Sequence, residues 1–346
     1  MAKDMEPSAK LSLRPAPRAG PDAVRRAALA PIVSPLESRA VSSFLGDRLF
    51  RLSTMILALL VLALLIGVAT VLALQSHLTL TKFGFSFFTS SNWDPVNEEF
   101  GALPFIYGTA VSSAIALIIA VPLSLGVALC LVEVLPQWFA TRIGFLVELL
   151  AAIPSVVYGL WGIFVLGPWI RDFVDPKLER YLGFLPLFQG PHIAVSLLTA
   201  GVLLSVMIIP YITAVCTEVF RVVPSTQREA ALALGATRWE MIRLAVIPYG
   251  YSGVVGAIML GLGRALGETI AVAMVIGNRP EIAASLFMPS STLASAIANE
   301  FTEATSDVYL SALVELGLVL MVLAVILNAA ARALVTGVVR GQGERR

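Results

Sequence analysis

Apolar and polar stretches alternate along the whole chain, and the apolar ones are as long as membrane crossings. They cover about residues 52–74, 104–132, 143–170, 192–219, 249–276 and 308–331. A helix of roughly 20 apolar residues crosses the ~30 Å hydrocarbon core. The first stretch is 23 residues without a charge, too long for the apolar part of a cleaved leader. No period-2 strand pattern separates the runs. The expectation is an all-α membrane protein with six transmembrane helices occupying residues 51–338. Pro154 and Pro168 interrupt the third run, and Pro210 lies inside the fourth.

The polar segments differ from one another. Residues 1–50 are rich in Pro, Ala, Ser and Arg, with little apolar periodicity before residue 41, which predicts a largely disordered basic tail. No apolar run follows Arg25-Arg26 closely, so the pair is not an export signal. Residues 339–346 form a short basic tail. Six spans put both termini on one side. Eighteen of the 24 Lys and Arg residues fall before the first run (through Arg51), after the last (from Arg332), in the 133–142 turn and in the 221–248 loop. The 75–103, 171–190 and 277–307 loops hold five, and also carry ten acidic residues. Basic residues stay on the cytoplasmic side, so both termini are expected there, in a plasma (inner) membrane.

Composition excludes several classes. The chain is 58% hydrophobic and 14% charged, against about 25% charged for soluble domains. Cys130 and Cys216 sit inside apolar runs and read as packing residues. His77 and His192 lie near span ends, far apart, and read as interfacial. No metal site, cofactor site or disulfide framework is expected. The four lysines, Lys3, Lys10, Lys82 and Lys177, never follow a glycine, so no P-loop exists. Any ATP-driven work needs an ATPase on another chain, which would use the ATP and Mg.

Arg264 stands near the middle of the fifth run with Glu268 four residues on, on the same helix face. Each such charge costs about 2.5–3.5 kcal/mol at mid-membrane, so the pair marks a polar site on a path. Glycines 253, 256, 261, 263 and 267 predict close backbone approach on one side of this helix. A guanidinium suits a tetrahedral oxyanion. The carboxylate would repel sulfate but could accept a proton from hydrogenphosphate. Ser155 and Tyr158 flank the Pro154 kink, and Glu148 and Glu315 lie inside spans; each is a weaker candidate for the path or for a structural hydrogen bond.

The 221–248 loop has its own grammar. Pro224 stops the preceding helix. Thr226 with Glu229, and Thr237 with Glu240, have the spacing of capping boxes. Gly235 between them suits a helix C-terminus. A short helix, a glycine turn and a second helix up to Pro248 are expected.

Glu229-Ala230-Ala231, then Gly235, then Ile247-Pro248 resemble the EAA loop, E-A-A-x3-G-x9-I-x-L-P, of binding-protein-dependent ABC importer permeases. Ala245 and Ile247 replace the pattern's Ile and Leu. The runs FGALPFIYGTAVSSAIALIIAVPLSLGVAL, ELLAAIPSVVYGLWGIFVLGP and GLGRALGETIAVAMVIGN are similar to those of the PstC family of phosphate permeases. Together with the loop they cover most of residues 100–280. The resemblance implies a type I ABC importer permease fold without catalytic residues of its own. It implies a PstA-like second permease, a PstB-like ATPase dimer and an extracytoplasmic PstS-like phosphate-binding protein as partners, and phosphate as cargo. Arg264 and Glu268 match the family's charged R-x-x-x-E. Arg228, Glu229, Ala230, Ala231, Leu234, Gly235 and Arg238 become candidates for coupling to the ATPase. Against this stand an importer for molybdate or sulfate, an ion-driven secondary transporter using Arg264–Glu268 as a proton relay, and a non-transporting scaffold.

Overall fold

The computed structural model describes residues 37–343. The chain divides into two compact units, Met1–Leu65 and Ile66–Arg346. Residues 1–36 of the expected tail lie outside the described residues. Residues 37–50, read as part of that tail, are instead helical, within α1, Glu37–Gln75. Residues 37–50 carry several charges but no Gly-Pro punctuation after Pro35 except Gly46, so helix propagates outward from the apolar run.

The other long elements are α2 (Leu103–Val134), the bent pair α3 (Gln137–Ala151) and α4 (Ser155–Leu182), α5 (Leu197–Arg221), α6 (Ser225–Ala233) and α7 (Arg238–Leu266). They are followed by α8 (Ile270–Val275), α9 (Leu293–Glu300) and α10 (Asp307–Gly343). Among the described residues, five helices are long and apolar enough to cross a membrane, six if the α3–α4 pair is one broken span. No strand occurs among the described residues, only two isolated bridges.

Prolines shape the helices. Among the described residues the chain widens into a π turn four times, at Cys130–Val134, Gly162–Leu166, Ile170–Val174 and Ile242–Val246. Each turn ends two residues before a proline: Pro136, Pro168, Pro176 and Pro248. Proline has no N–H to donate, and its ring crowds the carbonyl four residues back. Adding one residue to the preceding turn relieves that crowding. Hence Pro248 does not stop a helix, as expected above, but lies inside the 29-residue α7. Pro154 does break its span, and α3 and α4 meet at 89°.

The fifth run also departs from expectation. It is not one helix over 249–276: α7 ends at Leu266, Gly267 caps it, and α8 restarts at Ile270.

α5 is the centre of the larger unit, with two thirds of its most apolar window buried. Its glycine-lined contacts set the packing. A Cβ on Gly201 would meet Ile115 of α2 at 2.6 Å, and one on Gly261 of α7 would meet Ile212 at 2.7 Å. A Cβ on Gly253 would lie 2.5 and 2.7 Å from both methyls of Val219. Small residues at such crossings let membrane helices approach closely. The expected glycine face is therefore split. Gly253 and Gly261 face α5, while Gly256 and Gly263 have open space around the missing Cβ.

A second, aromatic cluster joins the 76–102 segment to α9 and α10. Trp93 packs edge-on against Phe100 and Phe105, with ring centroids 4.9 and 4.7 Å away. Its indole N–H donates to Glu300 at 2.8 Å, and the Tyr309 hydroxyl donates to the same oxygen at 2.7 Å. This cluster closes the end of the bundle where α2 begins; the 221–237 loop lies at the end where α2 finishes.

The split glycine face makes a prediction. Gly253→Ala should lower the melting temperature of the purified protein, because a β-branched Val219 cannot swing both methyls away and overpacking costs about 1–3 kcal/mol. Gly256→Ala should leave it unchanged or raise it, since alanine is the better helix former. Equal melting temperatures for the two variants would show that this helix crossing is not close-packed.

Candidate functional site

Two sites emerge, one at a helix break and one at the short helix α6. The break site starts from the backbone. Where α3 ends, its last carbonyls lose their helical partners. Tyr158 of α4 donates its hydroxyl to Leu150 O at 2.9 Å, and Tyr211 of α5 donates to Ala151 O at 3.0 Å. Two tyrosines thus close the gap that Pro154 opens. The ring of Tyr211 also carries the Arg264 guanidinium, whose Cζ lies 5.3 Å from the ring centroid. A cation over an aromatic face is held by the ring's quadrupole.

Arg264 occupies the last turn of α7, where the helix dipole favours a cation. Glu268 follows the break. Its side chain is 4% exposed, against 38% for Arg264, and their closest N···O distance is 3.4 Å. The other carboxylate oxygen accepts from the Ala271 N–H at 3.4 Å, at the start of α8. The two charges are therefore not neighbours on one continuous helix face, as expected above. They lie on either side of a helix break, with Glu268 buried against α8 and Arg264 turned outward.

The weaker path candidates separate. Ser155 is half-buried at the start of α4, and Tyr158 is buried beside it. Glu148 is exposed and lines a different cleft, with Thr213, Thr217, Glu218 and Arg221. Glu315 is fully buried, and neither of its carboxylate oxygens has a hydrogen-bond partner. It therefore faces no open path within this chain. Tyr211 went unnoticed in the sequence. Its one signal was an aromatic hydroxyl next to Pro210 within an apolar run.

At the second site, α6 begins at Ser225 with Pro224 in the cap position and no side-chain cap. The Thr226–Glu229 capping box does not form. Pro224 starts the helix two residues too early for Thr226 to serve as its cap. The Thr237–Glu240 box does form: Thr237 Oγ1 accepts from Glu240 N–H at 3.3 Å, and Glu240 Oε2 accepts from Thr237 N–H at 2.8 Å. Between them Gly235 adopts φ +87°. Its N–H donates to Leu232 O at 3.0 Å, and the Ala236 N–H reaches Ala231 O at 3.2 Å. This paired closure ends α6 as a Schellman turn.

Glu229, Ala230, Leu234, Gly235 and Arg238 are exposed, and Ala231 is half-buried against the main core. Leu234 is 90% exposed, a large apolar side chain with no cover inside this chain. Arg228 differs from the rest. It turns inward and pairs with Glu133 at the end of α2, Nη2 to Oε1 at 2.8 Å.

A capped short helix between two spans, together with a charged helix break in the next span, is a specific combination. Residues 120–340 match the sequence profile of the family described as binding-protein-dependent transport system inner membrane component. The chain belongs to this family. It is thus an inner membrane transport component, and its relatives are transport permeases rather than enzymes. Within the family it is similar to the phosphate transport system permease protein PstC of Mesorhizobium japonicum, 49% identical over 83% of this chain and 89% of that protein. PstC of Pasteurella multocida is 44% identical over 89% of this chain and 98% of its own length. PstC 2 of Mycobacterium tuberculosis is 42% identical over 86% and 94%. An inward-facing structure of the MetNI methionine ABC transporter aligns with 69% of this chain and 95% of its own, at 17% identity and a TM-score of 0.47. That likeness is too distant to bear on any residue.

In this family member the end of α6 rests on one backbone conformation. Gly235→Ala forces a Cβ into the left-handed region, at about 1–2 kcal/mol. The amides of α6 should then exchange with deuterium about tenfold faster, while those of α5 do not change. Unchanged exchange in α6 would show that the turn does not hold the helix.

Proposed function

We propose that the chain is one permease subunit of an ATP-driven importer of inorganic phosphate, and that Arg264 and Glu268 form its cargo-selecting point. The observation that carries this reading is the half-exposed guanidinium of Arg264, stacked on Tyr211 and 3.4 Å from a buried Glu268. A guanidinium offers paired N–H donors to a tetrahedral oxyanion. A carboxylate close by penalises a fully deprotonated anion and can accept a hydrogen bond from the P–OH of hydrogenphosphate. That combination favours phosphate over sulfate. The names borne by the similar permeases support the same cargo. Ser155 and Tyr158 border the same break. Tyr158 holds the end of α3 rather than the cargo.

The basic 133–142 and 221–248 segments and both termini face the cytoplasm in this reading. The exposed side of α6, with Glu229, Ala230, Leu234, Gly235 and Arg238, docks on a PstB-like ATPase dimer that uses ATP and Mg. A PstA-like permease completes the path on the side where Arg264 is open. A PstS-like protein delivers phosphate at the acidic end of the bundle. Closure of the ATPase dimer carries α6 with it and moves the spans that flank it, so the site near Arg264 opens alternately to either side. This chain hydrolyses nothing.

The test is labelled phosphate uptake by proteoliposomes holding the assembled complex. Arg264→Gln should abolish uptake with complex assembly intact. Arg264→Lys should retain a minor part, since it keeps the charge but loses the planar fork. Sulfate uptake equal to phosphate uptake in the unaltered complex would refute the cargo assignment. Gly235→Pro should abolish uptake and leave folding intact; transport that survives it would refute the role of α6.

A further inference from the structure

We infer that Arg228 is not a docking residue but the mechanical link that fastens α6 to the ends of α2 and α5, so that movement of α6 is passed into both spans. The inference rests on the reading of α6 as the element that an ATPase moves.

The geometry is that of a clamp. The Arg228 side chain is 20% exposed and Glu133 is 8% exposed. Nε donates to Glu133 Oε1 at 3.0 Å, and Nη2 lies 2.8 Å from the same oxygen. Nη2 also donates to Phe220 O at 2.8 Å, and Nη1 donates to Val223 O. Phe220 lies in the last turn of α5 and Val223 two residues beyond its end, where carbonyls lack helical partners and the dipole favours a cation. Glu133 lies in the π turn that ends α2. One side chain therefore binds three elements together: α6 through its own backbone, α5 through two carbonyls, and α2 through a carboxylate.

Only arginine can do this. Its guanidinium presents five N–H donors in a rigid plane, enough for a carboxylate and two carbonyls at once. A lysine ammonium is a compact point charge on a flexible stem and would hold one partner well rather than three. The neighbouring α6 residues Glu229 and Ala230 are exposed, so they remain available to a docked protein while Arg228 is occupied inside. A docked partner can then pull on α6 without α6 peeling away from the membrane helices.

The test uses the assembled complex of this chain with its second permease, ATPase and binding protein. Three quantities are measured: ATPase retained on purification, stimulation of ATP hydrolysis by loaded binding protein, and phosphate moved per ATP. Arg228→Gln should retain the ATPase and its basal hydrolysis, while stimulation and phosphate per ATP fall about tenfold, the scale on which linking residues alter coupling. Arg228→Lys should lie between. A covalent bridge provides a second arm. With Cys130 and Cys216 replaced by Ser, Glu133→Cys/Arg228→Cys joined by a short bis-methanethiosulfonate, which forms a disulfide at each thiol as sulfinate leaves, should recover coupling, and reductant should abolish it again by cleaving those disulfides. Loss of the ATPase from Arg228→Gln on purification would make Arg228 a docking residue and overturn the inference. So would unaltered stimulation in Arg228→Gln, or a bridge that forms without restoring coupling. If the unaltered complex moves no phosphate, the cargo assignment fails alone, because stimulated hydrolysis still reports the link.

Discussion

In hydrocarbon every backbone N–H and C=O needs a partner, because no water competes to supply one and an unpaired group costs several kcal/mol. That constraint governs where this chain can bend. α3 stops at Ala151, and the hydroxyls of Tyr158 and Tyr211 take its last two carbonyls. α7 stops at Leu266, and the Glu268 carboxylate meets the N–H that opens α8. α5 stops at Arg221, and Arg228 collects two of the carbonyls left there. The Glu268 closure is local, but Tyr211 comes from 60 residues away and Arg228 from the next helix. The breaks are therefore also the points where separate helices become tied to one another, and this is why chemistry gathers at them.

The same constraint explains the prolines. At Pro168, Pro176 and Pro248 the helix continues past the proline and the chain inserts one extra residue beforehand, whereas Pro122 and Pro210 are carried inside helices without one. The break at Pro154 is different, because the sequence there offers tyrosines that can replace the lost helical bonds. A proline alone does not say which outcome follows. The side chains that could stand in for the missing partners decide it, and some of them lie 60 residues away, as Tyr211 does from Ala151.

How far the structure was legible follows from this. Six apolar runs were plain, because a crossing needs its own length of predominantly apolar chain. The Gly235 turn and the Thr237–Glu240 box were plain too, since both are local patterns with one physical solution. The first capping box fails for a local reason: Pro224 fixes its own backbone and starts the helix before Thr226. What sequence could not show was direction around a helix. Arg264 and Glu315 looked alike as charges within spans. In the folded chain Arg264 is turned outward over Tyr211, whereas Glu315 is sealed with neither oxygen hydrogen-bonded. Arg228 was grouped with its exposed neighbours for the same reason. Its partner Glu133 lies 95 residues earlier, and nothing local signals it.

α5 gives these separate observations a common axis. Tyr211 carries the Arg264 guanidinium on its ring, and Phe220, nine residues on, accepts from Arg228. Nine residues of helix span about 14 Å, two and a half turns of one rigid element. α5 also meets α7 through Gly253 and Gly261, which seat tightly against the branched side chains of Val219 and Ile212. On the proposed coupling, a displacement of α6 would enter α5 at its end through a hydrogen-bonded clamp rather than through a loop. It then has a continuous helix and a glycine-tight contact between it and the charged break. Loosely packed helices would dissipate such a movement in side-chain rearrangement. Close-packed interiors transmit strain instead, so in the proposed mechanism α5 would be the route from the Arg228 clamp to the charged break at Arg264.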